Sequence, residues 1–127
     1  MKDERQILRA LFNKLVRSKC SAFPKYGEKL DAPTAKGVYV IYNQRRRVLH
    51  VGRTPRAAGG IAQRLRNHMG GSSSFTKNYL GGKGSRLRGK CQFRCLVVED
   101  PRLCALLEAY TIGELCPAHI GLNQSIV

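Results

Sequence analysis

Two short apolar runs, each bounded by a glycine, are the feature that most constrains the fold of this chain. Residues 37–42 read Gly-Val-Tyr-Val-Ile-Tyr, and residues 48–52 read Val-Leu-His-Val-Gly. β-Branched and aromatic residues favour strands, and the five polar residues between the runs are typical of a hairpin turn. The glycines fall at the end away from the turn, where they let another group approach the backbone. The sequence therefore predicts an antiparallel hairpin with room for a ligand at its open end.

Two polar rings interrupt these apolar strands. Alternation places Tyr39 on the face opposite to Val38 and Val40, and it likewise separates His50 from its neighbours on the second strand. A buried strand needs neither a phenol nor an imidazole. Tyr39 and His50 are therefore the first candidates for chemistry.

The formal net charge is +15 over 127 residues, and its distribution points to a partner. No carboxylate lies between Asp31 and Glu99, whereas this span holds fourteen arginines and lysines. Such one-signed charge indicates a nucleic acid, and it fits a membrane surface less well because the cations do not form one face of an amphipathic helix. The predicted nucleic-acid contacts are Arg45, Arg46, Arg47, Arg53, Arg56, Arg66, Lys77, Lys83, Arg86 and Arg88.

Several classes of protein are disfavoured by composition. No apolar stretch approaches membrane-spanning length and no signal-peptide core follows the N-terminus, so a cytoplasmic protein is expected. The five cysteines show no regular spacing, and a tetrahedral zinc site at Cys91 and Cys95 lacks two further ligands. We expect reduced, mostly buried cysteines.

The remaining elements predict a small α/β fold. Residues 1–35 form an amphipathic helix and an irregular connector, and residues 36–127 form the main domain. A short helix carries Arg64 and His68, which are four residues apart and share a face. A third strand over residues 91–98 precedes a helix with Asp100 as N-cap and Pro101 at its first position. The expected architecture is a three-stranded antiparallel sheet flanked by helices.

Glu108 is the carboxylate that its predicted helix does not need. It lies in mid-helix among apolar neighbours, where an unpaired buried carboxylate is costly. It therefore requires a cation, either one of the arginines or a divalent metal. The spacing by itself favours an arginine.

The glycine-bounded pair resembles the motif that names the GIY-YIG endonucleases, with residues 37–39 as Gly-Val-Tyr and residues 50–52 as His-Val-Gly. His50 replaces the second tyrosine of that motif. The family also places an arginine on the next helix, a glutamate on a later helix and a final asparagine. The matching positions, in order, are Tyr39, His50, Arg64, Glu108 and Asn123, and His68 matches a restriction-enzyme-like branch that adds a histidine one turn after the arginine.

The resemblance implies a metal-dependent endonuclease that hydrolyses DNA phosphodiester bonds. Tyr39 would orient or activate water, with His50 or His68 relaying the proton. Arg64 would stabilise the phosphorane, Glu108 would hold Mg²⁺ or Mn²⁺, and Asn123 would orient the site. Because a tyrosine pKa lies near 10, either the arginine and the metal must lower it or histidine must share the work.

Two other functions remain open from the sequence. The first is a non-catalytic nucleic-acid-binding module on the same scaffold, for which the replacement of tyrosine by His50 is the best argument. The second is an RNA-binding protein, which is expected to need exposed aromatic residues that the basic region lacks. His119 is expected to have a loop or surface role. Whether the substrate is DNA or RNA, and the oligomeric state, stay open.

Overall fold

The computed structural model describes residues 3–55 and 59–120 and shows an α/β fold. The elements in chain order are α1 (Glu4–Arg17), β1 (Ser21–Ala22), β2 (Gly37–Tyr42), β3 (Val48–Arg53), α2 (Gly60–Gly70), α3 (Ser74–Tyr79), a 3-10 turn (Gly84–Leu87), β4 (Gln92–Val97) and α4 (Pro101–Leu115). No helix among these residues is long and apolar enough to cross a membrane.

The sheet has four antiparallel strands, in the order β1-β4-β2-β3, so the prediction of three strands is wrong. The additional strand is β1, in which Ser21 pairs with Phe93 and Ala22 with Gln92. A strand of two residues is too short to show an alternating sequence pattern, so it could not be predicted. It forms because the edge of β4 is available for pairing. The connector between α1 and the hairpin therefore belongs to the sheet.

The two faces of the sheet carry separate cores, as the alternation in β2 predicts. Tyr39 and Ile41 pack with residues of α2 and α3 such as Leu65 and Phe75. Val38 and Val40 pack on the opposite face with residues of α1 and α4, notably Leu8, Leu15, Cys104 and Leu107. The sheet thus holds α2 on the same side as the tyrosine of the hairpin.

Helix capping follows local sequence closely. Asp3 forms a capping box with Gln6, and the Asp100 carboxylate accepts from the backbone N–H of Arg102 at 2.9 Å. The cap of α3 is Ser73, because the Ser73 hydroxyl accepts from the N–H of Thr76. Pro101 stands at the start of α4, as expected.

The glycines at the open end of the hairpin let groups approach closely. A Cβ on Gly52 would lie 2.3 Å from the Tyr39 hydroxyl oxygen, and one on Gly37 would lie 2.1 Å from the carbonyl oxygen of Leu96. Tyr39 is the direct cross-strand partner of Gly52, so its ring lies across that glycine. Glycine at position 52 is therefore what allows the tyrosine to take this orientation.

The five cysteines are all free. Cys91 and Cys104 are buried, two others are half-buried, and Cys116 is exposed. No disulfide joins any of them, and fewer of them are buried than expected.

Candidate active site

Tyr39 and His68 form the centre of the candidate site. Both side chains are fully buried, and the Tyr39 hydroxyl oxygen lies 2.6 Å from Nε2 of His68. Tyr39 comes from β2 and His68 from the last turn of α2, so the contact depends on how α2 packs on the sheet. The structure thus brings together two of the residues predicted to take part in catalysis.

The protonation of His68 follows from its other hydrogen bonds. The Thr76 hydroxyl donates to the backbone carbonyl of His68 at 2.6 Å, and the Ser73 hydroxyl donates to Thr76 Oγ1 at 3.1 Å. Ser73 Oγ must therefore accept the 2.6 Å bond from Nδ1–H of His68. His68 consequently carries its proton on Nδ1, and its unprotonated Nε2 accepts from the Tyr39 hydroxyl.

Burial keeps both groups neutral. Burial raises the pKa of Tyr39 to about 12, although the positive charge of Arg64 opposes the shift. Burial, together with the nearby His50 and Arg64, lowers the pKa of His68 to about 2. Tyr39 is therefore not a phenolate at neutral pH, because the charge of Arg64 lowers its pKa by less than burial raises it. Of the two predicted ways to activate water, a share of the work by histidine is the one that the Tyr39–His68 contact favours.

His50 pairs with His119, a residue that sequence reasoning placed on the surface. His119 is only 3% exposed, and the two Nδ1 atoms lie 3.1 Å apart. Nε2 of His119 is buried without a partner among the described residues. A buried orphan acceptor costs less than a buried orphan N–H, so His119 carries its proton on Nδ1 and donates it to His50. His50 then carries its own proton on Nε2 and is a hydrogen-bond donor.

The pKa of His50 also differs from the expected value. Burial and the neighbouring His119 lower it to about 3, well below the ordinary value of 6.5. The ring is stacked on Phe75, with centroids 4.7 Å apart. His50 is therefore a neutral donor near pH 7 and not a group that titrates there.

Arg64 brings positive charge to this cluster from the second turn of α2. Its side chain is half-buried, and its Nε–H is buried without a hydrogen-bond partner in the part of the chain that the structure describes. A buried donor without an acceptor costs about 1–3 kcal/mol. An anion bound beside Tyr39 and His68 would relieve that cost.

Glu108 pairs with an arginine, as its spacing favoured, and the arginine is Arg53. Arg53 Nε donates to Glu108 Oε1 at 3.1 Å, with side chains 37% and 26% exposed respectively. Burial raises the pKa of Glu108, although Arg53 and Arg64 oppose the shift. Arg53 is thus held by a carboxylate at the end of β3, and its predicted contact with nucleic acid stays a prediction.

The donor set around Glu108 is compatible with Mg²⁺. No group of three histidine, cysteine or acidic side chains able to hold a metal occurs within residues 3–55 and 59–120. Mg²⁺, however, keeps several waters and is commonly bound by one or two carboxylates together with substrate phosphate. The Arg53 guanidinium bonds Oε1 of Glu108 and the Glu108 side chain is 26% exposed, so an ion can reach this carboxylate from solvent.

The other predicted nucleic-acid contacts lie mostly on the surface. The side chains that are exposed are Arg45, Arg46, Arg47, Arg66, Lys77, Lys83 and Arg86. Arg88 is half-buried, and its guanidinium lies 4.7 Å from the centroid of the Tyr26 ring. Arg56 and Asn123 lie outside the described residues, so their predicted roles are not tested.

Four further residues belong to this region and were missed from the sequence. They are Ser73, Thr76, His119 and the exposed Tyr79, which is discussed below. Ser73 was detectable as a helix cap, but its bond to His68 was not. His119 has no local signal, because its partner lies 69 positions earlier in the chain. Comparison with models of known protein families and with curated proteins finds no match to this chain.

Proposed function

We propose that this protein is a metal-dependent endonuclease that hydrolyses DNA phosphodiester bonds on a scaffold similar to that of the GIY-YIG nucleases. The observation that carries the proposal is the buried, unpartnered Nε–H of Arg64 beside the hydrogen-bonded Tyr39–His68 pair. A cation donor without an acceptor, next to a proton relay, suits a phosphate group that is being attacked by water.

The proton path runs through Tyr39 to His68. Water gives its proton to the Tyr39 oxygen while the Tyr39 hydroxyl proton moves to Nε2 of His68. His68 then holds both of its ring protons, and Ser73 keeps accepting from Nδ1. The low pKa of free His68 opposes this step, but a phosphate anion bound nearby favours the imidazolium.

Charge on the phosphorane is stabilised by two donors. Arg64 supplies its unpartnered N–H, and His50 supplies Nε2–H, which is where a family tyrosine would offer its hydroxyl. Tyr39 has no exposed surface, so substrate binding must displace the groups that cover its hydroxyl before water can enter. The half-exposed Arg53 and Glu108 are the outermost members of the site.

Glu108 would hold the divalent metal, Mg²⁺ or Mn²⁺, through its carboxylate. When bound, such an ion polarises the phosphate and stabilises the leaving oxygen. Arg53 is then free to turn from the carboxylate toward the substrate phosphate. The exchange is inexpensive, because partly exposed ion pairs contribute only about 0–1 kcal/mol.

The alternative function is a non-catalytic module that binds nucleic acid. Two observations favour it: Glu108 is already paired with Arg53, and Tyr39 is completely buried. Under this alternative Glu108 serves only to balance an arginine, and the buried ring cluster serves only to hold α2 on the sheet.

Glu108→Gln separates the two functions, since it keeps the volume and removes the charge. If the nuclease proposal holds, Mg²⁺-dependent cleavage of plasmid DNA falls by a hundredfold or more, on the order of 3 kcal/mol of transition-state stabilisation. DNA affinity stays equal or rises slightly. Glu114→Gln, on the exposed side of the same helix, is the matched control and leaves cleavage unchanged. A parent protein without activity, together with a less stable Glu108→Gln variant, would favour the binding module.

Tyr39→Phe tests the proton path. The ring and its packing are kept, and only the hydroxyl that contacts His68 is lost. We expect cleavage to fall by about a hundredfold, within the range of general acid–base catalysis. Tyr42→Phe, on the same strand but the opposite face, serves as control and retains activity. Full activity of Tyr39→Phe would remove Tyr39 from the mechanism.

A further inference from the structure

A column of stacked rings leads from the candidate active site to the surface. His50 stacks on Phe75 with centroids 4.7 Å apart and an interplanar angle of 14°. Phe75 in turn stacks on Tyr79 with centroids 5.6 Å apart and an angle of 16°. Phe75 is fully buried, whereas Tyr79 is 41% exposed. Tyr79 therefore continues an ordered stack and presents aromatic surface to solvent.

A basic cavity of about 420 Å³ lies beside Tyr79. Arg45, Arg86 and Lys90 line it, together with Asn43 and Gln44, and no acidic residue among those described is part of its wall. All three cations are exposed and none of them forms an ion pair in the part of the chain that is described. The cavity combines an aromatic ring with unpaired positive charge.

We propose that Tyr79 stacks an unpaired base of the substrate while Arg45, Arg86 and Lys90 hold the adjoining phosphates. Aromatic rings flanked by cations are the usual means by which proteins bind single-stranded nucleic acid. The bases of a paired duplex already stack on each other, so only an unpaired base can offer its face. This proposal rests on the proposed function and narrows its substrate class to DNA with unpaired nucleotides beside the cleaved bond.

The position of the ring column supports this assignment. Only Phe75 separates Tyr79 from His50, so a base on Tyr79 would belong to a nucleotide within a few positions of the bond cleaved at the site. The expectation that the basic region lacks exposed aromatic residues is wrong, because Tyr79 lies in that region and is 41% exposed; Tyr26, outside it, is 76% exposed. Tyr26, however, carries the Arg88 guanidinium on its ring and does not line the basic cavity, so it is a natural control.

The test measures binding without cleavage. The probes are a fluorescent blunt-ended, fully paired DNA duplex and the same duplex with a short single-stranded flap, with affinity read by anisotropy in EDTA. The parent is expected to bind the flap DNA about tenfold more tightly. Tyr79→Ala should abolish this preference, whereas Tyr79→Phe and Tyr26→Ala should retain it. Thermal unfolding of each variant verifies that the fold is kept.

The outcomes separate this proposal from the nuclease proposal. Equal affinity of the parent for both probes, or an equal loss in Tyr26→Ala, overturns the stacking site. A flap preference that depends on Tyr79 supports it, even if plasmid cleavage with Mg²⁺ is absent and the nuclease proposal fails. Cleavage without a flap preference would support the nuclease proposal and refute the stacking site.

Discussion

The neutral histidine cluster predicts that this protein loses stability in mild acid. The pKa of His50 falls from 6.5 to about 3 and that of His68 to about 2 in the folded state, because both rings are buried. The unfolded chain binds protons at these residues as soon as the pH drops below 6.5, whereas the folded protein does not. The stabilisation is therefore complete above pH 6.5 and is lost as the pH falls toward the folded values.

The expected loss is large relative to total stability. At about pH 5 each histidine lies about 1.5 units below its unfolded pKa, which corresponds to about 2 kcal/mol. His50 and His68 together then cost about 4 kcal/mol, against a typical domain stability of about 5–15 kcal/mol. Burial also lowers the pKa of His119, which adds to the loss in the same direction. Glu108, whose pKa is raised, acts in the opposite direction, but chiefly at lower pH.

Urea unfolding between about pH 7.5 and pH 5 measures this effect as a slope. The free energy of unfolding of the parent should fall by about 2.7 kcal/mol per pH unit below pH 6, because the unfolded chain binds one more proton at each of His50 and His68 than the folded protein does. His68→Gln should lose roughly half as much per pH unit, whatever its absolute stability. A free energy of unfolding that stays constant over this range would refute the lowered pKa values of the buried histidines.

Three further predictions follow from charge, donor chemistry and packing. The logarithm of DNA affinity should fall with the logarithm of salt concentration, with a slope of about 0.9 per phosphate contacted. Arg86→Ala should reduce that slope by the equivalent of about one contact. A slope near zero for the parent would contradict binding through phosphate contacts. His50→Tyr should retain cleavage, whereas His50→Ala should lose most of it. Because burial lowers the pKa of His50, the pH profile of kcat/KM for the parent should lack the limb near pH 6.5 that an unperturbed histidine gives. Equal activity of the alanine variant would show that His50 serves only in packing. Gly52→Ala should lower the free energy of unfolding, measured by urea titration, by about 1–3 kcal/mol, because the new Cβ would meet the Tyr39 hydroxyl. Gly113→Ala is the control: no atom lies within 4 Å of the new Cβ, so this variant should be as stable as the parent or more stable.

Features that depend on near neighbours could be predicted from the sequence. Alternation in β2 places Tyr39 and Val38 in different cores, and the glycines mark the open end of the hairpin. Asp100 and Pro101 mark the start of α4. These features follow from backbone geometry over one turn or one strand, where side-chain pattern and local hydrogen bonds are decisive.

Pairings across the fold were decided by tertiary structure. Arg53 contacts Glu108 over 55 positions and His50 contacts His119 over 69, and no periodicity links such residues. They meet because strand register and helix packing bring them together. The short β1 likewise depends on an available edge of β4.

The chemical state of the site also depends on the tertiary structure. Sequence composition indicates a basic protein and singles out Tyr39, His50 and His68, but it assigns them ordinary pKa values. Burial raises the pKa of Tyr39 and lowers those of the histidines, because a charged form loses its hydration inside the protein. The residue types were therefore determined by the sequence, whereas their protonation and hydrogen-bond direction were determined by the packing around them.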